Sequence, residues 1–271
     1  MRRYLCILLF SVTSTVLYAQ PCHEVVGYFA SWKWYDRNKL VNPKTIDYSK
    51  YTILNYAFFK PETDGSISYG DSWADQNLLG KPYKYNNSNT LIHQAHLHGV
   101  KVFVSIGGWT WSKPFPVIAA DPELRERFAL ECARLIREHD LDGIDIDWEY
   151  PGFVLHGGSP ADRKNFTSLL RDIRFEMDRL EVLMGKELQL TFASGIAAEH
   201  LANIDWEEVV PFVDFVNLMT YNYSGTWDNT TGHNRPLYCK ENSPLCVNGS
   251  VEMLIDENGE PAQKVTLGIA I

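Results

Sequence analysis

Seven short runs limit what this chain can fold into: "EVVGYFAS", "YTILNYAFF", "KVFVSIGG", "GIDIDWEY", "LQLTFASG", "VDFVNLMTY" and "KVTLGIAI". Several are apolar at consecutive positions, the pattern of parallel strands covered on both faces. Longer stretches with helical spacing separate them. Asp121-Pro122 reads as an N-cap followed by proline at the first helical position, and Ser159-Pro160 repeats the signal. Beyond it Phe166, Leu169, Leu170, Ile173, Met177 and Leu180 make one apolar stripe, which Gly185 is placed to end. Gly99 ends an earlier helix carrying Leu91, Ala95 and Leu97. No repeat, low-complexity tract or linker divides the chain, so residues 20–271 read as one domain.

Repeated βα units fit an open doubly wound sheet or a (β/α)8 barrel. No glycine-rich phosphate fingerprint opens the first βα turn. Aromatic residues instead follow several different strands: Trp32 and Trp34, Trp109 and Trp111, and Trp227. A barrel gathers such loops on one face, where an open sheet would scatter them. The fold class is therefore α/β, a TIM barrel, and with about seven strands present it is expected to be incomplete.

The first residues, "MRRYLCILLFSVTSTVLYAQ", have a basic start and an apolar stretch too short and interrupted to span a bilayer. They read as a secretory signal peptide over 1–19. This predicts a secreted, extracellular or periplasmic protein beginning near Gln20, with no membrane insertion after cleavage. Cys6 leaves with that segment, so Cys22, Cys132, Cys239 and Cys246 remain. Cys239 and Cys246 bracket a polar loop and suit a local disulfide. Cys132 falls on a helical apolar stripe with Phe128, Leu135 and Ile136, which favours a buried free thiol. A formal net charge of −9 with no basic run argues against nucleic acid as a partner. No Cys/His spacing suits zinc, so no metal and no cofactor are expected, and the eight histidines read as structural or solvated.

Most of the chemistry lies in "LDGIDIDWEYPG". On a strand, side chains alternate faces, so Asp145, Asp147 and Glu149 share one face while Ile144, Ile146 and Trp148 share the other. In a barrel the apolar set meets the helices and the acids point inward, climbing toward the open end. Asp142-Gly143 reads as the turn entering the strand, which makes Asp142 structural. Three acids this close cannot all ionise cheaply in a low dielectric, so at least one pKa rises. Glu149, nearest the mouth, is the natural proton donor, with Asp147 free to hold charge beside it.

At these residues the chain resembles family 18 glycoside hydrolases, the chitinase family. The family's D-x-x-D-x-D-x-E signature matches Asp142, Asp145, Asp147 and Glu149, and "WEYPG" continues it. The S-x-G-G signature matches Ser105, Gly107 and Gly108, followed by Trp109; "LMTYN" and "TGHNRPLY" resemble later motifs. The similarity runs from about Val25 to Ile271. It implies a chitinase acting on chitin or N-acetylglucosamine oligosaccharides, in which the substrate's acetamido group supplies the nucleophile. By the same resemblance Glu149 is the general acid/base, Asp147 orients the acetamide, Asp145 is its proton partner, and Tyr221 hydrogen-bonds the acetamido oxygen. Tyr28, Phe58 and Met219 would wall the cleavage subsite, and Trp109 would form the platform on the leaving-group side. Trp32, Trp34, Trp111 and Trp227 are further candidate sugar contacts.

Two departures stand out. The family's usual Asp after the sixth-strand Tyr is Asn222 here, a polar candidate for substrate binding without the charge. The Asn222-Tyr223-Ser224 sequon is discounted, since a glycan there would block the site. The chain also stops where the family continues to an eighth strand; a monomer is expected if the barrel is complete. A chitin-binding lectin and an endo-β-N-acetylglucosaminidase are the competing readings, and Glu149 argues against the lectin.

Overall fold

A computed structural model describes residues 23–84, 87–240, 245–257 and 261–270. The leader predicted over 1–19, and Cys22, lie outside them. Seven parallel strands form one sheet: β1 (Val26–Ala30), β2 (Ile53–Pro61), β4 (Lys101–Gly107), β5 (Gly143–Asp147), β6 (Gln189–Ser194), β7 (Phe215–Leu218) and β8 (Val265–Leu267). They follow one another in chain order, as each helical crossover delivers the chain to the next strand. A short β3 (Ile67–Tyr69), which the sequence did not announce, pairs antiparallel with the end of β2. The result is an incomplete TIM barrel with β1 and β8 as its two edges.

The outward faces of the strands meet α2 (Leu91–Leu97), α3 (Phe115–Ala120), α4 (Pro122–His139) and α5 (Asp162–Met184), which follow the short α1 (Ser72–Leu78). Ile144, Ile146 and Trp148 are buried as the alternation predicted, and Trp148 stacks on Phe115 with ring centres 5.3 Å apart. Cys132 is a free thiol buried among Phe128, Leu135 and Ile136. Burying each such side chain contributes roughly 1.5–3 kcal/mol. Where α4 meets α5, Arg125 donates to Asp172 at 2.8 Å and also to the carbonyl of Ala119.

Helix ends follow the sequence closely, with one shift. The Asp121 side chain caps α4 by accepting from the amides of Glu123 and Leu124. Gly185 takes the left-handed conformation that closes α5, and Gly99 does the same just after α2. α5 starts at Asp162 rather than directly after Ser159. The Asp162 carboxylate accepts from the amides of Ser159 and Gly152, which holds the preceding turn out of the helix. Cys239 and Cys246 form the predicted disulfide.

Candidate active site

The two strands that carry the site end earlier than their apolar patterns suggested. β5 stops at Asp147, so Glu149 sits on a bend beyond it, followed by a cis peptide bond to Tyr150. β7 stops at Leu218, so Met219 and Tyr221 do not share a strand face; the Tyr221 amide instead donates to the Met219 carbonyl at 2.6 Å. Leaving the ladder lets these side chains reach the open end of the barrel.

The S-x-G-G segment makes room for that bend. Gly107 lies opposite Asp147 in the sheet register and has a φ of 115°. A Cβ there would lie 2.3 Å from the Asp147 carbonyl oxygen, so only glycine allows this approach. Gly108, also at positive φ, packs against the ring of Phe58.

Asp145 is fully buried at the centre of a ring of donors. Ser105 on β4 and Thr191 on β6 are its direct register partners and donate to it at 2.7 and 2.6 Å. The Tyr28 hydroxyl donates at 2.9 Å and the Asn217 amide at 3.0 Å. Thr266 on β8 in turn donates to the Asn217 carbonyl oxygen at 2.8 Å. Burial pushes the Asp145 pKa up, and the four hydrogen bonds only partly offset it.

One step up the strand, Asp147 is buried too, yet its Oδ1 has no hydrogen-bond partner among the described residues. Burial, then the charges of Glu149 and Asp145, hold its pKa well above the usual carboxylate range. Glu149 is half-buried, and burial also raises its pKa against hydrogen bonds from the Tyr150 side chain and the Trp109 amide. A charge on Glu149 opposes ionisation of Asp147, so the two carboxyls do not both ionise freely. Tyr221 faces the same acids; burial and the charges of Asp147, Glu149 and Asp145 keep its hydroxyl protonated.

A cleft reaches this row; it belongs to a cavity of about 2120 Å³ that runs along the open flank between β1 and β8, where Val26, Gln189, Phe215 and Val265 also line it. Tyr28, Phe58, Trp109, Asp147, Glu149, Met219, Tyr221 and Asn222 all line it, while Asp145 lies outside the lining. Trp32 stacks on Phe58 with ring centres 5.9 Å apart, and Trp227 is exposed at the rim. Trp34 and Trp111 do not line the cleft, contrary to expectation. Trp34 is buried against Trp73 under the ammonium of Lys39, and Trp111 packs over Gly70 beneath Lys60. Trp34 is thereby covered, while Trp111 stays half-buried.

Asp142 stands apart from the row, at the entrance to β5. It accepts from the Val102 amide and His96, each at 2.7 Å, and pairs with Lys186 at 2.8 Å. Burial would raise its pKa, but His96 and Lys186 outweigh it and leave the group lowered.

The sequence reading passed over several side chains of the site. Thr191 and Asn217 carry no motif signal; they become visible only once the strand order places them beside Asp145. His156 and His200 were grouped with structural or solvated histidines, yet the His156 Nδ1–H donates to the Glu149 carbonyl at 2.7 Å, and His200 stacks on Tyr150 at 3.8 Å. No cluster of three or more His, Cys, Asp or Glu among the described residues could hold a metal ion.

An incomplete βα barrel with a row of buried acids beneath an aromatic-lined opening at the carboxyl ends of its strands is the arrangement to compare with known proteins. The chain belongs to the glycosyl hydrolases family 18, whose model matches residues 24–271. It is 33% identical to Chitinase A1 of Niallia circulans over 267 residues, 84% of this chain and 38% of that protein. Chitinase ChiA74 from Bacillus thuringiensis superposes with a TM-score of 0.79 at 29% identity, covering 91% of this chain and 48% of that one. A variant of the Ostrinia furnacalis Group II chitinase catalytic domain 2, in complex with penta-N-acetylchitooctaose, gives 0.78 at 26% identity, covering 91% and 63%. The chain thus spans less than two thirds of the length of each of these relatives.

Proposed function

We propose that this protein is a chitinase that hydrolyses β-1,4 bonds between N-acetylglucosamine units with retention of configuration. The observation that carries the reading is the half-buried Glu149 at the cleft, its pKa raised by burial, two residues beyond an Asp147 whose Oδ1 has no partner among the described residues. A carboxyl that keeps its proton above the ordinary carboxylate range suits proton donation to a glycosidic oxygen.

In this reading Glu149 gives its proton to the oxygen of the scissile bond. The acetamido carbonyl oxygen of the adjacent sugar attacks its own anomeric carbon, and the leaving sugar departs with the proton. The nitrogen of the resulting oxazolinium ion carries positive charge. Asp147, with an oxygen free to accept, bonds that N–H and stabilises the charge, while Asp145 shares the proton balance behind it. The Tyr221 hydroxyl, kept protonated by burial and by the acids around it, donates to the acetamido oxygen. Glu149 then takes a proton from water as the water oxygen bonds to the anomeric carbon and the bond from that carbon to the acetamido oxygen breaks, which restores the acetamide. Tyr28, Phe58 and Met219 wall the cleavage subsite, Asn222 contacts substrate at its rim, and Trp109 supports the leaving sugar on its apolar face. We further read residues 1–19 as an export leader and the secreted protein as a monomer. No helix among the described residues is long and apolar enough to cross a membrane.

The test is Glu149→Gln assayed on N-acetylglucosamine oligomers. Turnover is expected to fall by about 10²–10⁴-fold, the usual worth of a general acid, with oligomer binding retained. In the parent protein the rate should fall on the alkaline side as Glu149 loses its proton, at a pH above the ordinary carboxylate range. An amide variant as fast as the parent would sink the assignment. Binding without turnover in the parent chain would point to a lectin instead.

A further inference from the structure

The loop that follows the acid folds back on it. The Phe153 amide donates to the Tyr150 carbonyl and the Gly158 amide to the Phe153 carbonyl, each at 2.9 Å. These bonds close the turn, and the Asp162 carboxylate holds it as well through the Gly152 and Ser159 amides. They also return His156, 8% exposed, to a point where its Nδ1 lies 2.7 Å from the Glu149 carbonyl oxygen. A carbonyl can only accept, so Nδ1 carries the hydrogen.

The Glu149 amide is held from the other side. It donates to Ser112 Oγ at 2.8 Å, and the fully buried Ser112 hydroxyl donates onward to the Gly108 carbonyl at 2.9 Å. Because β5 ends at Asp147, no strand ladder fixes the Glu149 peptide groups; two side chains do it instead. The imidazole has a second task. Its ring packs on Trp109 with centres 4.7 Å apart and meets Phe153 edge-on at 5.2 Å. One residue therefore touches both the acid's main chain and the aromatic wall beside it.

We propose that His156 is a positioning residue: its Nδ1–H locks the main chain that aims the Glu149 carboxyl, and its ring sets the tilt of Trp109. This rests on the function proposed above, and it divides into two separable parts. The donor should govern the rate of the chemical step, because small misplacement of a reacting group is costly. The ring should govern the affinity for oligomers long enough to reach Trp109.

Three variants separate the parts. His156→Ala removes both, His156→Asn keeps an N–H near the Nδ1 position, and His156→Phe keeps a ring without a donor. Each is assayed on short and long N-acetylglucosamine oligomers, with Tm measured alongside. In His156→Ala kcat should fall about tenfold. Its alkaline limb should also move to lower pH, because a loosened Glu149 is wetter and burial is the main cause of its raised pKa. His156→Asn should recover kcat to within about twofold while KM for long oligomers stays raised. His156→Phe should show the reverse, and it serves if the alanine variant unfolds. A phenylalanine variant with the parent kcat and pH profile, or an asparagine variant as slow as alanine, would overturn the inference. Failure of the functional reading looks different: there Glu149→Gln itself would leave turnover unchanged.

Discussion

Two layers of the barrel, one step apart on β5, handle the same residue type in opposite ways. Around Asp145 every lone pair is spoken for, with donors from β1, β4, β6 and β7 converging on one carboxylate. Around Asp147 the neighbours are two more acids, and one carboxylate oxygen has no partner among the described residues. Both groups are buried, so both incur desolvation. Only the lower layer receives the hydrogen bonds that compensate it. The lower acid ties strands together, and the upper one is left ready to bond something that arrives.

Replacing each acid by its amide should sharpen that contrast. Asp145→Asn puts an NH2 group among donors, and the Asn217 amide could accept from it only by flipping, which gives up the bond its oxygen accepts from Thr266. We expect a loss of about 2–4 kcal/mol of stability, read by denaturant unfolding, and a fall in activity with it. Asp147→Asn removes an uncompensated buried charge. Activity should fall about 10²-fold, in line with losing one electrostatic stabiliser of a transition state. Tm at neutral pH should nonetheless rise by about 2–4 °C. The sign follows from linkage. The folded pKa of Asp147 lies above its unfolded value, so the folded state binds more protons in that window and stability drops as pH rises through it. The advantage of the amide should therefore vanish at acid pH, below the ordinary carboxylate range. A variant that is destabilised at neutral pH would break the comparison between the layers.

How much of this the sequence could carry depends on how local each cause is. The acid row, the S-x-G-G segment and the helix caps depend on neighbours within a few residues, and they were readable. The seven parallel strands were readable because burial on both faces leaves continuous apolar runs. Strand ends were not: "GIDIDWEY" gives no hint that pairing stops at Asp147, since that is set by where Gly107 ends β4. The donors Thr191 and Asn217 were hidden for a similar reason, because their partner lies 46 and 72 residues away. His156 was discounted as structural, though a loop that returns seven residues later sets its contact with Glu149. Trp34 erred in the other direction: an aromatic after a strand is a good guess for a cleft wall, but packing against Trp73 claimed it first.

The smallest expected effect belongs to Asn222, at the edge of the upper layer. It is exposed, has a φ of 43°, and its amide oxygen accepts from Asn234 at 2.7 Å. That conformation is one Asn and Asp both tolerate, and a carboxylate could accept the same bond. Asn222→Asp should thus leave the fold intact and add one negative charge at the rim of the cleft. The charge disfavours ionisation of Glu149, so the alkaline limb should move up slightly rather than down. Because the site faces solvent, screening should hold the change in kcat/KM to about threefold or less, and raising the salt should shrink it further. Complete loss of activity would mean that this side chain donates an N–H the reaction cannot do without. Asn222 would then belong with the acids it borders.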